Sequence, residues 1–400
     1  MHIEEPALAL WLQAFRHELH RFPELSHQEF ETTARIRQQL EHHGIRVLDL
    51  ALETGVVAEI GLPTAPLVVL RADIDALPIE EQADLPFRST RHGVMHACGH
   101  DFHSAAALGA AVLLKQQEAS LPGRVRILFQ PAEETATGAL AMLASGALEQ
   151  ARAIFGLHND PTLPPGVIGS KAGELTAAVD RVDITITGTG SHAAKPHCGN
   201  DPIVIAAQII SAAQTLVSRN APSNENAVVS ITQVHSGSTW NVIPDSAWIE
   251  GTVRTFSSEL RERLAQRFRE IALGIGAAFD AEVTFNWHAG PPSVINDPDL
   301  TALALQQATV SGFEARVVEP SPIGEDFAFY QQQIPGAFVM IGTGEPYALH
   351  HPAFRVNDDV LLPTARYLAD LAVAALSRLG DTVTSAEHEI RAAAPERGHS

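Results

Sequence analysis

The chain has 400 residues, 45% hydrophobic and 18% charged, a globular balance that predicts two domains or one large domain with an insertion. Lys and Arg number 27 against 47 Asp and Glu, a formal net charge of -20 that argues against nucleic acid and anionic membranes as partners. Two cysteines, Cys98 and Cys198, cannot build a disulfide framework, and the acidic start Met1-His2-Ile3-Glu4-Glu5 is unlike a secretory signal. The expectation is a cytoplasmic, soluble protein; residues 8–15 are too short and interrupted for a membrane span.

Apolar residues at helical spacing over 7–43 (Leu10, Trp11, Phe15, Leu19, then Ile36 and Leu40) predict a helical stretch that Pro23 splits in two. Apolar runs at 56–60 and 66–70 read as buried strands, the second leading into Arg71-Ala72-Asp73-Ile74-Asp75. An Ala/Leu-rich helix over 104–115 precedes a strand at 125–129, which ends at Gln130-Pro131-Ala132-Glu133-Glu134. A helix at 139–145 and a strand at 153–157, ending at His158, follow. Strand and helix in repetition predict an α/β fold with a central sheet covered on both faces. Ligands of such sheets gather beyond the carboxyl ends of the strands. Asp73, Asp75, Glu133, Glu134 and His158 all fall there.

From about 176 the texture changes. Residues 182–187 alternate like a half-exposed strand, and a helix over about 202–218 follows. Strands at 228–234 and 247–255, a helix at about 257–279 and a strand at 282–287 complete a β-α-β-β-α-β order, similar to a ferredoxin-like α+β unit. The reading is a second domain, 176–287, inserted into a catalytic domain formed by 1–175 and 288–380. The latter resumes with a helix at 297–311, a strand at 338–342 and a helix at 359–378. Residues 381–400 are polar and aperiodic and read as a flexible tail.

Nineteen histidines stand beside three tyrosines, and six metal-binding residue positions crowd together: His92, His96, Cys98, His100, Asp101 and His103. Singly, each reads best as a buried, hydrogen-bonded side chain. As a group they offer thiolate, imidazole and carboxylate, the ligands of borderline-soft divalent metals. No second Cys pair exists to close a structural zinc site, so an open, catalytic site is the better reading. Glu133-Glu134 in isolation would be a solvated pair. At the sheet edge, one carboxylate can hold metal while its neighbour serves as general base on an activated water. His158 and His350, in Leu349-His350-His351-Pro352, are the candidates for further ligands, although His-His before Pro also suits an exposed loop. A cysteine hydrolase with Cys98 as nucleophile and His100 as base would leave Glu134, His158 and His350 without a role. A metal-storing module would have no use for Glu133.

Eight segments then appear in order: Arg71-Ala-Asp-Ile-Asp-Ala-Leu-Pro78, His96-Ala-Cys-Gly-His-Asp101, Phe129-Gln-Pro-Ala-Glu-Glu134, Gly156-Leu-His158, Gly190-Ser-His192, Asn241-Val-Ile-Pro-Asp245, Gly251-Thr-Val-Arg254 and Gly324-Glu-Asp-Phe327. From about residue 10 to 375 the chain resembles the hippurate hydrolase, N-acyl-amino-acid amidohydrolase and indoleacetyl-amino-acid hydrolase branch of the aminoacylase-type dinuclear metallopeptidases. The resemblance implies a zinc-peptidase-like catalytic domain with a central mixed sheet and an inserted lid or dimerisation domain. It implies two divalent metal ions (Zn, Mn, Co or Ni) held by Cys98, His100, Glu134, His158 and His350, with Cys98 in the bridging place and Glu133 as general acid/base. It implies Asp75 and Asp101 as acceptors that orient ligand imidazoles. His192 and Asn241 would reach the substrate carbonyl, the former from the other subunit of a homodimer, and Arg254 would bind the substrate carboxylate. The expected reaction is amide hydrolysis of a small N-acyl amino acid; a dipeptidase or carboxypeptidase and an N-acetyl-diaminopimelate deacetylase are the alternatives within the fold.

Overall fold

The computed structural model describes residues 4–392, with side chains as far as Leu379. By residue contacts the chain divides into two compact units. One consists of the segments up to Gly173, Ile295–Glu319 and from Phe329 onward; the other of Glu174–Val294 with Pro320–Ala328.

The first unit is built on an eight-stranded mixed sheet. Its strands in chain order are β1 (Arg46–Val47), β2 (Val56–Ile60), β3 (Leu67–Asp73), β4 (Arg124–Gln130), β5 (Ala151–Asp160), β6 (Val167–Ser170), β7 (Glu314–Val317) and β8 (Gly336–Gly342). They lie in the order β1-β2-β4-β3-β5-β8-β6-β7. The central four, β4, β3, β5 and β8, run parallel. β2 and β6 are antiparallel to their inner neighbours. Strands covered on both faces read as continuous apolar runs, and β3, β4 and β8 are buried at every residue. The short strands β1, β6 and β7 have too little apolar content to announce themselves in the sequence.

Helices α1 (Glu5–Arg21), α2 (Phe30–His42), α3 (His100–Gln116), α4 (Gly138–Ala144), α5 (Pro298–Val310) and α6 (Leu361–Ala392) accompany the sheet. Helix α3 is buried along nearly its whole length, and its small residues let neighbours approach closely. A Cβ on Gly109 would stand 2.7 Å from the Ala365 Cβ and 2.8 Å from Leu12 Cδ1. Backbone helix continues to Ala392, since no helix-stopping proline follows Leu361–Leu362 and Pro363 until Pro395; residues 393–400 lie outside the described residues.

The second unit is an antiparallel four-stranded sheet in the order Ala227–Ser236, Ser246–Thr255, Ala178–Thr187, Glu282–Ala289. Its helices, Pro202–Thr215 and Ser258–Ala278, begin at Asp201 and Ser257, whose side chains accept backbone N–H bonds at the helix start. Ala178–Thr187 and Ser246–Thr255 alternate buried and more exposed residues, so one face meets the helices. This is the ferredoxin-like order. The first unit resumes at Ile295 rather than 288, and Pro320–Ala328 groups with the second unit, where Ala177 N–H reaches the carbonyls of Ser321 and Ile323.

Two helical stretches, Pro202–Asn220 and Asp358–Leu379, are long and apolar enough to cross a membrane by length and composition alone. In the second of these, 61% of the apolar window is already buried inside the protein. Its hydrophobic content is used in the core.

Candidate metal centre

The suspicious residues of the sequence do converge at the carboxyl ends of the central strands. Asp73 ends β3, Glu133 and Glu134 follow β4, and His158 lies near the end of β5. Cys98 and His100 flank Gly99, which precedes α3 with φ +86°. A Cβ there would fall 2.1 Å from Asn159 Oδ1, so glycine alone lets this loop lie against β5. His350 arrives from far along the chain. Its backbone N–H donates to Ala97 O at 2.9 Å, and its own φ is 66°, a left-handed conformation uncommon outside glycine.

Among the described residues of the first unit, four overlapping groups result: Cys98, His100 and His158; Cys98, Glu134 and His350; His100, Glu133 and Glu134; and Asp73, His100 and His103. Within each, the donor atoms lie within 4.8 Å of one another. Cys98 Sγ is 3.4 Å from His158 Nε2 and 3.3 Å from His350 Nε2. Glu134 Oε1 is 3.8 Å from His100 Nε2 and 3.7 Å from His350 Nε2, while Glu133 Oε2 is 4.0 Å from His100 Nε2. Of the two adjacent histidines, His350 faces this cluster. His351 stacks on Tyr347, ring centroids 4.8 Å apart, and accepts the Ala353 N–H.

The imidazoles are aimed by what holds their other nitrogen. His100 Nδ1 lies 3.2 Å from Asp75 Oδ1, and that carboxylate is itself fixed by Ser26 Oγ at 2.7 Å and the Glu134 N–H at 3.0 Å. His158 Nδ1 lies 2.8 Å from Asn159 O. A proton on Nδ1 of each ring satisfies these acceptors and turns a bare Nε2 toward Cys98 and Glu134, the arrangement of a metal-ligating histidine.

Asp101 departs from expectation. Its Oδ2 accepts from Arg16 Nε and meets His20 Nδ1, both at 3.0 Å, so it supports the packing of α1 and no ligand imidazole. One residue after His100 in a helix, its side chain points about 100° away around the axis. The other histidines of the motif also part company. His92 is exposed beside Glu80. His96 is buried with neither ring nitrogen hydrogen-bonded, and burial lowers it to about 4. His103 has both nitrogens engaged, Nδ1 with Asp73 Oδ1 at 2.6 Å and Nε2 with the Asn159 N–H at 3.0 Å.

Several contributors escaped sequence reasoning. Buried Glu29 accepts the Ala132 N–H at 2.8 Å and the Thr54 hydroxyl at 2.9 Å, anchoring the turn that presents Glu133 and Glu134. Ala132 in that turn has φ 53°. Ser26, Glu29, Arg16 and His20 lie in α1 and the loop after it, where polar residues follow no period. For Arg16 and His20 the signal is polarity on an otherwise apolar helix face; for Ser26 and Glu29, in the loop, there is none.

His192, Asn241 and Arg254 belong to the second unit. A two-stranded ribbon pairs Ser191–His192 with Val242–Ile243, and Ala193 N–H donates to Asn241 O at 3.1 Å, so His192 and Asn241 are held side by side. His192 Nδ1 accepts the Ala194 N–H at 3.0 Å. Arg254 lies on the Ser246–Thr255 strand, half-buried; burial lowers its pKa and Asp180 partly offsets this. Glu250, on the same strand, pairs with Arg181.

The residues of the cluster fit a metal. His100 Nε2 and Glu134 Oε1 are buried with no hydrogen-bond partner, a costly condition unless something else meets them. Burial, reinforced by Glu134, pushes the Cys98 thiol well above its ordinary range, against the lowered value a cysteine nucleophile needs. Burial together with the nearby aspartates pushes Glu134 up to about 7, although His100 works the other way. A cation reverses both tendencies.

A mixed α/β sheet with sulfur, nitrogen and oxygen donors converging beyond its strand ends defines a metallohydrolase. The chain belongs to Peptidase family M20/M25/M40, whose pattern matches residues 69–374, and it is a metal-dependent amidohydrolase. It is 51% identical over 366 residues to an N-acetylcysteine deacetylase of Bacillus subtilis (strain 168), spanning 91% of this chain and 96% of the relative. It is 37% identical over 378 residues to IAA-amino acid hydrolase ILR1-like 2 of Arabidopsis thaliana, spanning 92% and 86% respectively. A solved Bacillus subtilis protein described as a dinuclear metal binding peptidase from the M20 family superposes with a TM-score of 0.85 at 48% identity, over 93% of this chain and 99% of that one.

Proposed function

We propose that this protein hydrolyses the amide bond of N-acyl amino acids, giving a carboxylate and a free amino acid. The observation that carries the reading is a pair of buried atoms without a hydrogen-bond partner, His100 Nε2 and Glu134 Oε1, facing Cys98, His158 and His350. These five would hold two divalent cations, which would polarise the scissile carbonyl and bring the pKa of water to about 7. Glu133, beside the cluster, takes a proton from the attacking water and delivers it to the departing nitrogen. Asp75 keeps His100 in the required tautomer. His192 and Asn241 would stabilise the carbonyl oxygen, His192 from the partner of a homodimer, and Arg254 would pair with the free carboxylate of the amino acid.

Two relatives, 51% and 48% identical, are named N-acetylcysteine deacetylases, which favours a small acyl group among acetyl, benzoyl and arylacetyl. The setting is the cytoplasm. The test is Glu133→Gln, assayed on N-acetyl-L-cysteine, hippurate and an indoleacetyl amino acid with added Co2+. The variant should bind metal as the parent does and lose about 10²–10⁴-fold in kcat. A near-normal kcat would remove Glu133 from the reaction, and no turnover of any N-acyl amino acid by the parent would refute the substrate class.

A further inference from the structure

His103 sits three residues past His100, yet it cannot be a ligand, because both its nitrogens are engaged. What engages them follows from the sheet. β3 pairs with β5 as far as Arg71 opposite Gly156, whereas β8 stays paired with β5 through Gly342 opposite Asp160. Past Gly156, β5 therefore has no strand on its β3 side. The Asn159 N–H, which would otherwise look for a carbonyl there, finds His103 Nε2 at 3.0 Å.

That bond sets the tautomer. A nitrogen that accepts carries no proton, so the His103 proton is on Nδ1, 2.6 Å from Asp73 Oδ1. Asp73 is held in turn by Arg71 Nη1 at 2.7 Å. On its other side Asn159 offers its carbonyl oxygen to His158 Nδ1 at 2.8 Å. Arg71, Asp73, His103, Asn159 and His158 thus form one buried chain of hydrogen bonds ending at the imidazole that faces Cys98.

We propose that His103 is a positioning residue for His158: standing in for the missing strand, it fixes the backbone of Asn159 and, through the carbonyl of that residue, the setting of the His158 ring. The two buried imidazoles are then aimed by different means. Asp75 grips His100 directly; His158 is gripped through main chain that His103 restrains on that side. This rests on the reading of His158 as a metal ligand.

The variants His103→Gln and His103→Asn separate the two bonds. The Gln amide oxygen reaches about where Nε2 stands and still accepts from Asn159; the Asn side chain can still donate to Asp73 but falls short of Asn159. Metal-free protein is titrated with Co2+, following stoichiometry, affinity and the cobalt d–d spectrum, with melting of the metal-free forms to establish folding. His158→Ala is the reference, expected to lose one equivalent of Co2+. His103→Asn should keep two equivalents with one weakened about 10- to 100-fold and an altered spectrum, and His103→Gln should stay near the parent. If His158→Ala binds two equivalents as the parent does, the ligand reading fails. If His158→Ala loses one but His103→Asn binds normally, or Gln and Asn weaken the site equally, the positioning role fails and the ligand reading stands. Should a variant not fold, imidazole 15N shifts of the parent decide: an Nε2–H tautomer at His103 overturns the proposal, and Nδ1–H supports it.

Discussion

Two nests of buried charge lie one residue apart in sequence, and they end differently. Around Asp101, Arg16 donates to that carboxylate, to Val356 O at 3.0 Å and to Asp358, while His20 lies between Asp101 at 3.0 Å and Glu81 at 3.1 Å. Glu81 also accepts the Ser89 N–H at 2.6 Å. Nε and Nη1 of Arg16 and both ring nitrogens of His20 meet acceptors inside the protein, although the second Asp101 oxygen, Oδ1, is buried without a hydrogen-bond partner. Around His100 the supporting atoms are just as well held, but the Nε2 and Glu134 Oε1 that face inward are left open. A charge network that closes on itself ties elements together. One whose supports are fixed and whose central donors are not is built for a cation that arrives after folding.

The sharpest way to break this contrast is to remove metal. Chelation with dialysis should abolish amide hydrolysis and leave the fold intact, and Mn2+, Co2+ or Zn2+ should restore it; turnover at the original rate in a verified metal-free sample would mean the open nest needs no cation. The closed nest predicts the reverse. Arg16→Ala leaves Asp101 and Asp358 without their guanidinium, and breaking a buried pair from one side costs about 3–5 kcal/mol. Thermal or urea unfolding should show that loss in the metal-free protein. Folded variant at low temperature should still bind two equivalents of Co2+; loss of metal with unchanged stability would reverse the assignment of the two nests.

The sequence made one nest far more legible than the other, for a physical reason. Glu133, Glu134 and His158 each follow an apolar run, and strand ends of an α/β sheet are where ligands collect, while Cys98 and His100 stand out by their crowding with other donor residues. The order of strands and helices through β3, β4 and β5 follows from the same apolar periodicity. Asp101 was misjudged because adjacency in sequence is not adjacency in a helix, where successive side chains diverge by about 100°. Arg16 and His20 were invisible as partners, since one helical turn of α1 says nothing about which carboxylate it will meet. Ser26 and Glu29 lie in a loop whose only periodicity is its neighbours'. His350 was reachable by motif, but its choice over His351 depends on a left-handed backbone that no local pattern announces.

The smallest effect concerns the proton on His20 and sharpens what closure of the nest means. Burial alone would lower this imidazole, but the Asp101 carboxylate and the hydrogen bonds to Asp101 and Glu81 outweigh it and the opposing Arg16, raising His20 to about 9. The groups facing it are Asp101, Glu81, Arg16, the Phe87 ring edge-on at 5.4 Å, and His96 at 6.3 Å, the last held neutral by burial. Because the folded value exceeds the ordinary 6.5, the stabilisation is fully present below pH 6.5 and is lost as pH rises through about 9. The gap corresponds to roughly 3 kcal/mol across that window. Urea midpoints of the metal-free protein from pH 6 to 10 should therefore fall with rising pH, and His20→Gln should flatten the slope while lowering stability most at the acid end. An identical slope in the variant would show that the proton on His20 does not bind this nest together, leaving Arg16 as the sole counter-charge to Asp101.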